Sequence, residues 1–97
     1  MTVNTPSVHD VAQALTVDES ALLGYLQVLG VAYCWGNRFD NVWSNIPPSN
    51  TRTFGNAVVW KLHTDGLVNI ELSGRPQCWL SAAGCAVAVQ LQLPQAA

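Results

Sequence analysis

The stretch TFGNAVVWKLHTDGLVNIELSGRPQCWLSAAG, Thr53 to Gly84, decides the fold of this 97-residue chain. Its first part spaces Phe54, Val58 and Leu62 at i, i+4 and i+8, flanked by Ala57 and Val59, which predicts a helix from Thr53 to Thr64. Gly66 stands where a left-handed residue closes a helix. The period then changes to two: Leu67, Asn69 and Glu71 alternate with Val68, Ile70 and Leu72, as in a strand. Ser73-Gly74-Arg75-Pro76 reads as a turn, and QCWLS, Gln77 to Ser81, as a short return strand. Leu80-Ser81-Ala82-Ala83-Gly84 then opens another helix. Helix, hairpin and helix in that order predict an α+β domain.

Upstream, residues 1 to 6 read as an arm ending at Pro6. Ser7 caps a short helix in which Val8, Val11, Ala12 and Leu15 share one face. Thr16 or Asp18 caps a second helix with the stripe Leu22, Leu23, Leu26 and Leu29. Gly30 ends it, or Val31, Ala32 and Tyr33 prolong it. Cys34 to Asn37 read as a turn, and FDNVWSNI, residues 39 to 46, as a two-turn helix stopped by Pro47-Pro48. Ser49, Asn50 or Thr51 would cap the helix that begins near Thr53. Residues 85 to 93 fit a strand or a helix equally well. The whole, 1 to 97, reads as one domain: an N-terminal helix over 7 to 18, a core over 19 to 84 and a packing or dimerisation segment over 85 to 97.

Hydrophobic residues make up 49% of the chain and charged residues 10%, against roughly a quarter charged in an average domain. Such a composition excludes disorder and favours association through an apolar face. No apolar run reaches the roughly 18 residues of a membrane span, and the first residues carry no secretion signal, so the expected compartment is the cytoplasm. Cys34, Cys78 and Cys85 have no ligand spacing; small buried thiols are the expectation, with a redox role for Cys78 the sharper alternative. His9 and His63 lack partners at metal-binding spacing, so no metal or cofactor is expected. Neither a nucleophile elbow, a phosphate-cradling glycine loop nor a carboxylate pair is present, and the chain reads as a non-enzyme.

From residue 19 onward the order is helix, short helix, Pro-rich turn, helix, hairpin and Leu-Ser-Ala-Ala-Gly. That order resembles the winged helix-turn-helix proteins, in particular the MarR- and PadR-like bacterial regulators. VVWKLHTDGLV resembles the end of their recognition helix, ELSGRPQCWLS their wing with Gly74-Arg75 at its tip, and LSAAG the start of the helix after the wing. The resemblance implies three to five helices with a two-stranded wing. It also implies a small homodimeric transcriptional regulator, such as a repressor, bound to double-stranded DNA.

On that resemblance the bases face Thr51, Arg52, Thr53, Gly55, Asn56 and Trp60, while Lys61 and Arg75 meet phosphates. Arginine forks onto guanine and asparagine pairs with adenine. The leucine-rich second helix and the uncharged C-terminus would supply the dimer surface.

The charge pattern departs from that family. Net charge is −2, the pI is about 5.4, and Arg38, Arg52, Lys61 and Arg75 are the whole basic complement. Binding weakens with a slope of roughly 0.9 per neutralised phosphate, so two or three contacts per protomer hold DNA feebly unless a dimer doubles them. The alternative is the same scaffold used to bind a protein, such as a phage or mobile-element inhibitor acting on a host complex. Trp35 and Trp43 would then be its contact residues, because tryptophan anchors interfaces. A rival helix-turn-helix, VHDVAQALTVDESALLGYL, opens its second helix with Asp18-Glu19 and reads as packing structure.

Overall fold

The computed structural model describes residues 7–36, 41–47 and 52–92. The arm over 1 to 6, the start of the expected helix at residues 39 and 40, the caps Ser49, Asn50 and Thr51, and the last five residues lie outside the described residues. The described elements are α1 (Val8–Ala14), α2 (Val17–Leu29), β1 (Ala32–Trp35), β2 (Val42–Ser44), α3 (Asn56–Thr64), β3 (Val68–Glu71), β4 (Gln77–Leu80) and α4 (Ala82–Gln92). The chain is thus an α+β domain with four helices and a four-stranded antiparallel sheet among its described residues.

Both N-terminal helices begin as their capping residues dictate. Ser7 accepts from the Asp10 N–H. Thr16 and Glu19 form a reciprocal capping box, with Thr16 Oγ1 accepting from the Glu19 N–H and a Glu19 carboxylate oxygen accepting from the Thr16 N–H. Leu22, Leu23 and Leu26 of α2 are at most 1% exposed inside the protomer, so this part of the leucine stripe is core and not a surface for a twin. Leu29, at the end of the stripe, is exposed.

Gly30, at φ 88°, stops α2 and turns the chain. The next segment is neither a prolonged helix nor a turn but β1, whose Ala32 and Cys34 point into the core. The helix expected over residues 39 to 46 is also corrected: within it, Val42–Ser44 is strand β2. Asn41, at φ 58°, makes the turn, and Val42, Trp43 and Ser44 then pair with Trp35, Cys34 and Tyr33. The helical stripe does not hold, because Trp43 is buried while Ile46 is 53% exposed. Pairing with β1 satisfies these backbone groups, whereas a helix cut off by Pro47 would leave its last carbonyls open.

Trp43 also bridges Phe54 through two backbone hydrogen bonds of 2.8 and 2.9 Å. Thr53 and Phe54 are therefore outside the helix, and α3 starts at Asn56 with Gly55 at its N-cap. Val59 and Leu62 bury its inner face; Gly66, at φ 78°, ends it.

The hairpin β3–β4 forms as expected, with Val68 opposite Leu80 and Ile70 opposite Cys78. It is not a free two-stranded wing. β4 pairs on its other side with β1, giving the order β2-β1-β4-β3. The ambiguous C-terminal stretch is helical to Gln92, with Gly84, Val87 and Ala88 turned inward at i, i+3 and i+4. Ser81 fixes its start: its Oγ accepts from the Gly84 N–H and donates to the Gly66 carbonyl. α4 packs on α1 and α2, closing one core.

Candidate interface on helix α3 and the hairpin

α3 presents its outer face to solvent. Asn56, Ala57, Trp60, Lys61 and Thr64 are all exposed, while Val59 and Leu62 hold the other side against the core. The expected contact helix is therefore open. Its polar groups, however, are engaged within the chain.

Asn56, the expected adenine reader, has its side-chain Oδ1 on two indoles at once. Trp43 Nε1 donates to it at 3.0 Å and Trp60 Nε1 at 3.1 Å. Trp43 is 1% exposed, so that carbonyl serves a buried donor shut off from solvent. Trp60 in turn lies edge-on to His63, ring centroids 5.5 Å apart, and its carbonyl accepts from Thr64 Oγ1. His63 Nδ1 lies 3.1 Å from the Val68 carbonyl. An indole 37% exposed is thus held in one orientation by its hydrogen bond, its ring contact and its own helix.

The cations are partnered too. Arg52 pairs with Asp18 at 3.5 Å and lies over the Phe54 ring, 4.8 Å from its centroid. Lys61 pairs with Asp65 one turn on, and that hydrogen bond raises its pKa further above the ordinary lysine value, with Glu19 adding attraction. Arg75 folds back from the hairpin onto Trp35, 4.1 Å from the ring centroid, and donates to the Cys34 carbonyl at 3.3 Å. Thr53 is half-buried, Gly55 is the uncapped start of the helix, and Thr51 lies outside the described residues.

The structure therefore brings Asn56, Trp60 and Lys61 onto one exposed face, and among the described residues it engages Arg52 with Asp18, Lys61 with Asp65 and Arg75 with Trp35. Asp18 lies against Arg52, and Asp65 and Glu19 attract Lys61. Surface pairs of this kind are worth about 0–1 kcal/mol each, so they can open; the acids beside them still repel phosphate.

Of the two tryptophans expected at a protein interface, Trp43 alone is corrected, by its burial. Trp43 is a core residue, and Trp35 is half-buried beneath Arg75 with its Nε1 on the Ser44 carbonyl. The exposed indoles are Trp60 and Trp79. The alternation of QCWL carried the signal for Trp79, since a buried Cys78 turns its neighbour outward.

The thiols are free, and Cys34 and Cys78 are buried. Burial pushes the Cys78 thiol up to about 12 and also raises Cys34, against the pull of Arg75. A reactive thiolate at Cys78 is thereby disfavoured. Among the described residues no three His, Cys, Asp or Glu side chains converge on a metal position, and no helix is long and apolar enough to cross a membrane.

Fold and site together define a small α+β domain with an exposed, aromatic-bearing helix beside a hairpin. Comparison with protein-family models, with curated proteins and with solved structures gave no match.

Proposed function

We propose that this chain is a protein-binding module on a winged-helix scaffold, with α3 as its contact helix and Trp60 as the anchor. One observation carries this reading: the buried Trp43 fixes Asn56, and Asn56 fixes the exposed indole of Trp60. An ordered tryptophan on a surface loses little entropy when a partner covers it, which is what an interface anchor requires. The same contacts occupy the acceptor on Asn56 that adenine would need. Asp18 and Asp65 beside the helix select a partner whose apolar pocket has a basic rim. Three unpaired thiols fit a reducing compartment such as the cytoplasm.

Gene regulation through DNA is the second reading, and one observation favours it: α3 is open, the hairpin comes directly after it, and Arg52 and Lys61 side chains are 54% and 59% exposed. A homodimer on a palindrome would then supply the missing cations.

Two measurements separate the readings. A photo-crosslinking amino acid in place of Trp60, in extract of the source cell, should give one protein adduct that excess wild-type chain suppresses and Trp60→Ala chain does not. Mass measurement in solution with random duplex DNA at low salt should show no complex. A duplex complex lost in Arg52→Ala and weakened by salt, with no suppressible adduct, would replace the first reading with the second.

A further inference from the structure

A cleft of about 670 Å³ opens between α1, α4 and the end of α3, and the indole of Trp60 does not line it. Its volume lies within the roughly 300–1,000 Å³ of small-molecule sites. Val11, Leu15, Leu67 and Val87 give it apolar walls. Four charged residues line it as well, and they do not balance.

Lys61 contributes the one positive charge, and it is already committed to Asp65 and drawn toward Glu19. Glu19 is 7% exposed, and its carboxylate accepts from the Thr16 N–H. Asp10 lies on exposed α1; its backbone N–H is used by Ser7, but its carboxylate has no partner among the described residues. Three acids and one base around an apolar hollow give a negative potential that low-dielectric walls concentrate. An anion is repelled there, whereas a cation is drawn toward Asp10.

We propose that this cleft binds an organic cation with an apolar body, its charge beside Asp10 and its hydrocarbon against Val11, Leu15 and Val87. Trp60, the proposed anchor of α3, takes no part in the cleft, although Lys61 and Asp65 at the end of α3 border it.

Tetraphenylphosphonium and tetraphenylborate provide the test, being nearly the same shape with opposite charge. Titration calorimetry should show saturable binding of the phosphonium at least tenfold tighter than the borate, a difference of about 1.4 kcal/mol. Asp10→Asn should weaken the phosphonium severalfold and leave the borate unchanged or stronger. Ala83→Trp, which fills the cleft from an exposed α4 position, should abolish binding while circular dichroism stays that of the wild type. Should Ala83→Trp disturb the fold, amide shifts of Ala83 and Val87 in the wild-type chain must still move with the phosphonium. Equal or tighter borate binding, no saturable binding, or shifts confined to other regions would each overturn the proposal. So would a wild-type dimer that Ala83→Trp converts to monomer, since a second copy would then be the occupant.

Discussion

The indole N–H of Trp43, a side chain 1% exposed, ends on the Oδ1 of Asn56 at 3.0 Å. A strand residue and the first residue of a helix, 13 positions apart, are joined by a bond that the buried indole cannot make with water. Removing the acceptor leaves a buried donor unsatisfied, which costs about 1–3 kcal/mol. Asn56→Ala should therefore lower stability by about 2 kcal/mol, and the melting temperature by roughly 8–16 °C for a domain this size. Urea unfolding followed by fluorescence measures the first. The emission of Trp60 should also broaden, because its own tether is lost with the same atom.

Two helical glycines should respond in opposite directions to alanine. In α4 a Cβ on Gly84 would lie 1.8 Å from the Leu67 carbonyl oxygen, a backbone atom that cannot step aside. Gly84→Ala must lift α4 from the loop before β3, at a cost of about 3 kcal/mol. In α2 a Cβ on Gly24 meets nothing within 4 Å. Gly24→Ala should stabilise by about 0.5–1 kcal/mol through helix propensity alone. Thermal melts of the pair check both signs.

Thiol chemistry should follow burial. Cys85 is exposed on α4, whereas Cys78 is 0% exposed and Cys34 9%. Iodoacetamide at neutral pH should label Cys85 first, with Cys78 modified only on unfolding; peptide mass mapping over time reads the order. Early labelling of Cys78 would show that β4 opens.

Alkali should destabilise the chain partly through Cys78. Its folded pKa is raised from 9.0 to about 12, so the folded state keeps a proton that the unfolded state releases between those values. The stability this group contributes is complete below pH 9.0 and falls as pH rises toward 12, with a slope of up to about 1.4 kcal/mol per pH unit. Lys61, also raised, acts in the same direction. Cys78→Ala should flatten the slope while Lys61 still titrates, a comparison that urea titrations at pH 8 and 10.5 can make.

The elements legible in the residues are those that local chemistry fixes. Ser7, Thr16 and Ser81 start helices, Gly30 and Gly66 end them, and period two with a Ser-Gly turn makes β3 and β4. The outward placement of Asn56, Trp60 and Lys61 was also readable from the spacing of α3's buried residues. Their engagement was not, because it depends on side chains that meet only in space: Trp43 on Asn56, Asp18 on Arg52, Trp35 under Arg75.

By itself the sequence determined an α+β chain poor in charge, with a helix, a hairpin and the opening of another helix between Thr53 and Gly84, since caps, glycines and hydrophobic period act over a few residues; that residues 85 to 92 continue as helix is decided by the structure. Only the tertiary structure decided that residues 32 to 35 and 42 to 44 are strands. β1 finds its partner in β4 more than 40 residues away, and once Tyr33 pairs with Gln77 the free edge of β1 takes β2 beside it. Backbone hydrogen bonds satisfied across that distance outweigh the helical spacing of Val42, Trp43 and Ile46, and no local pattern records them.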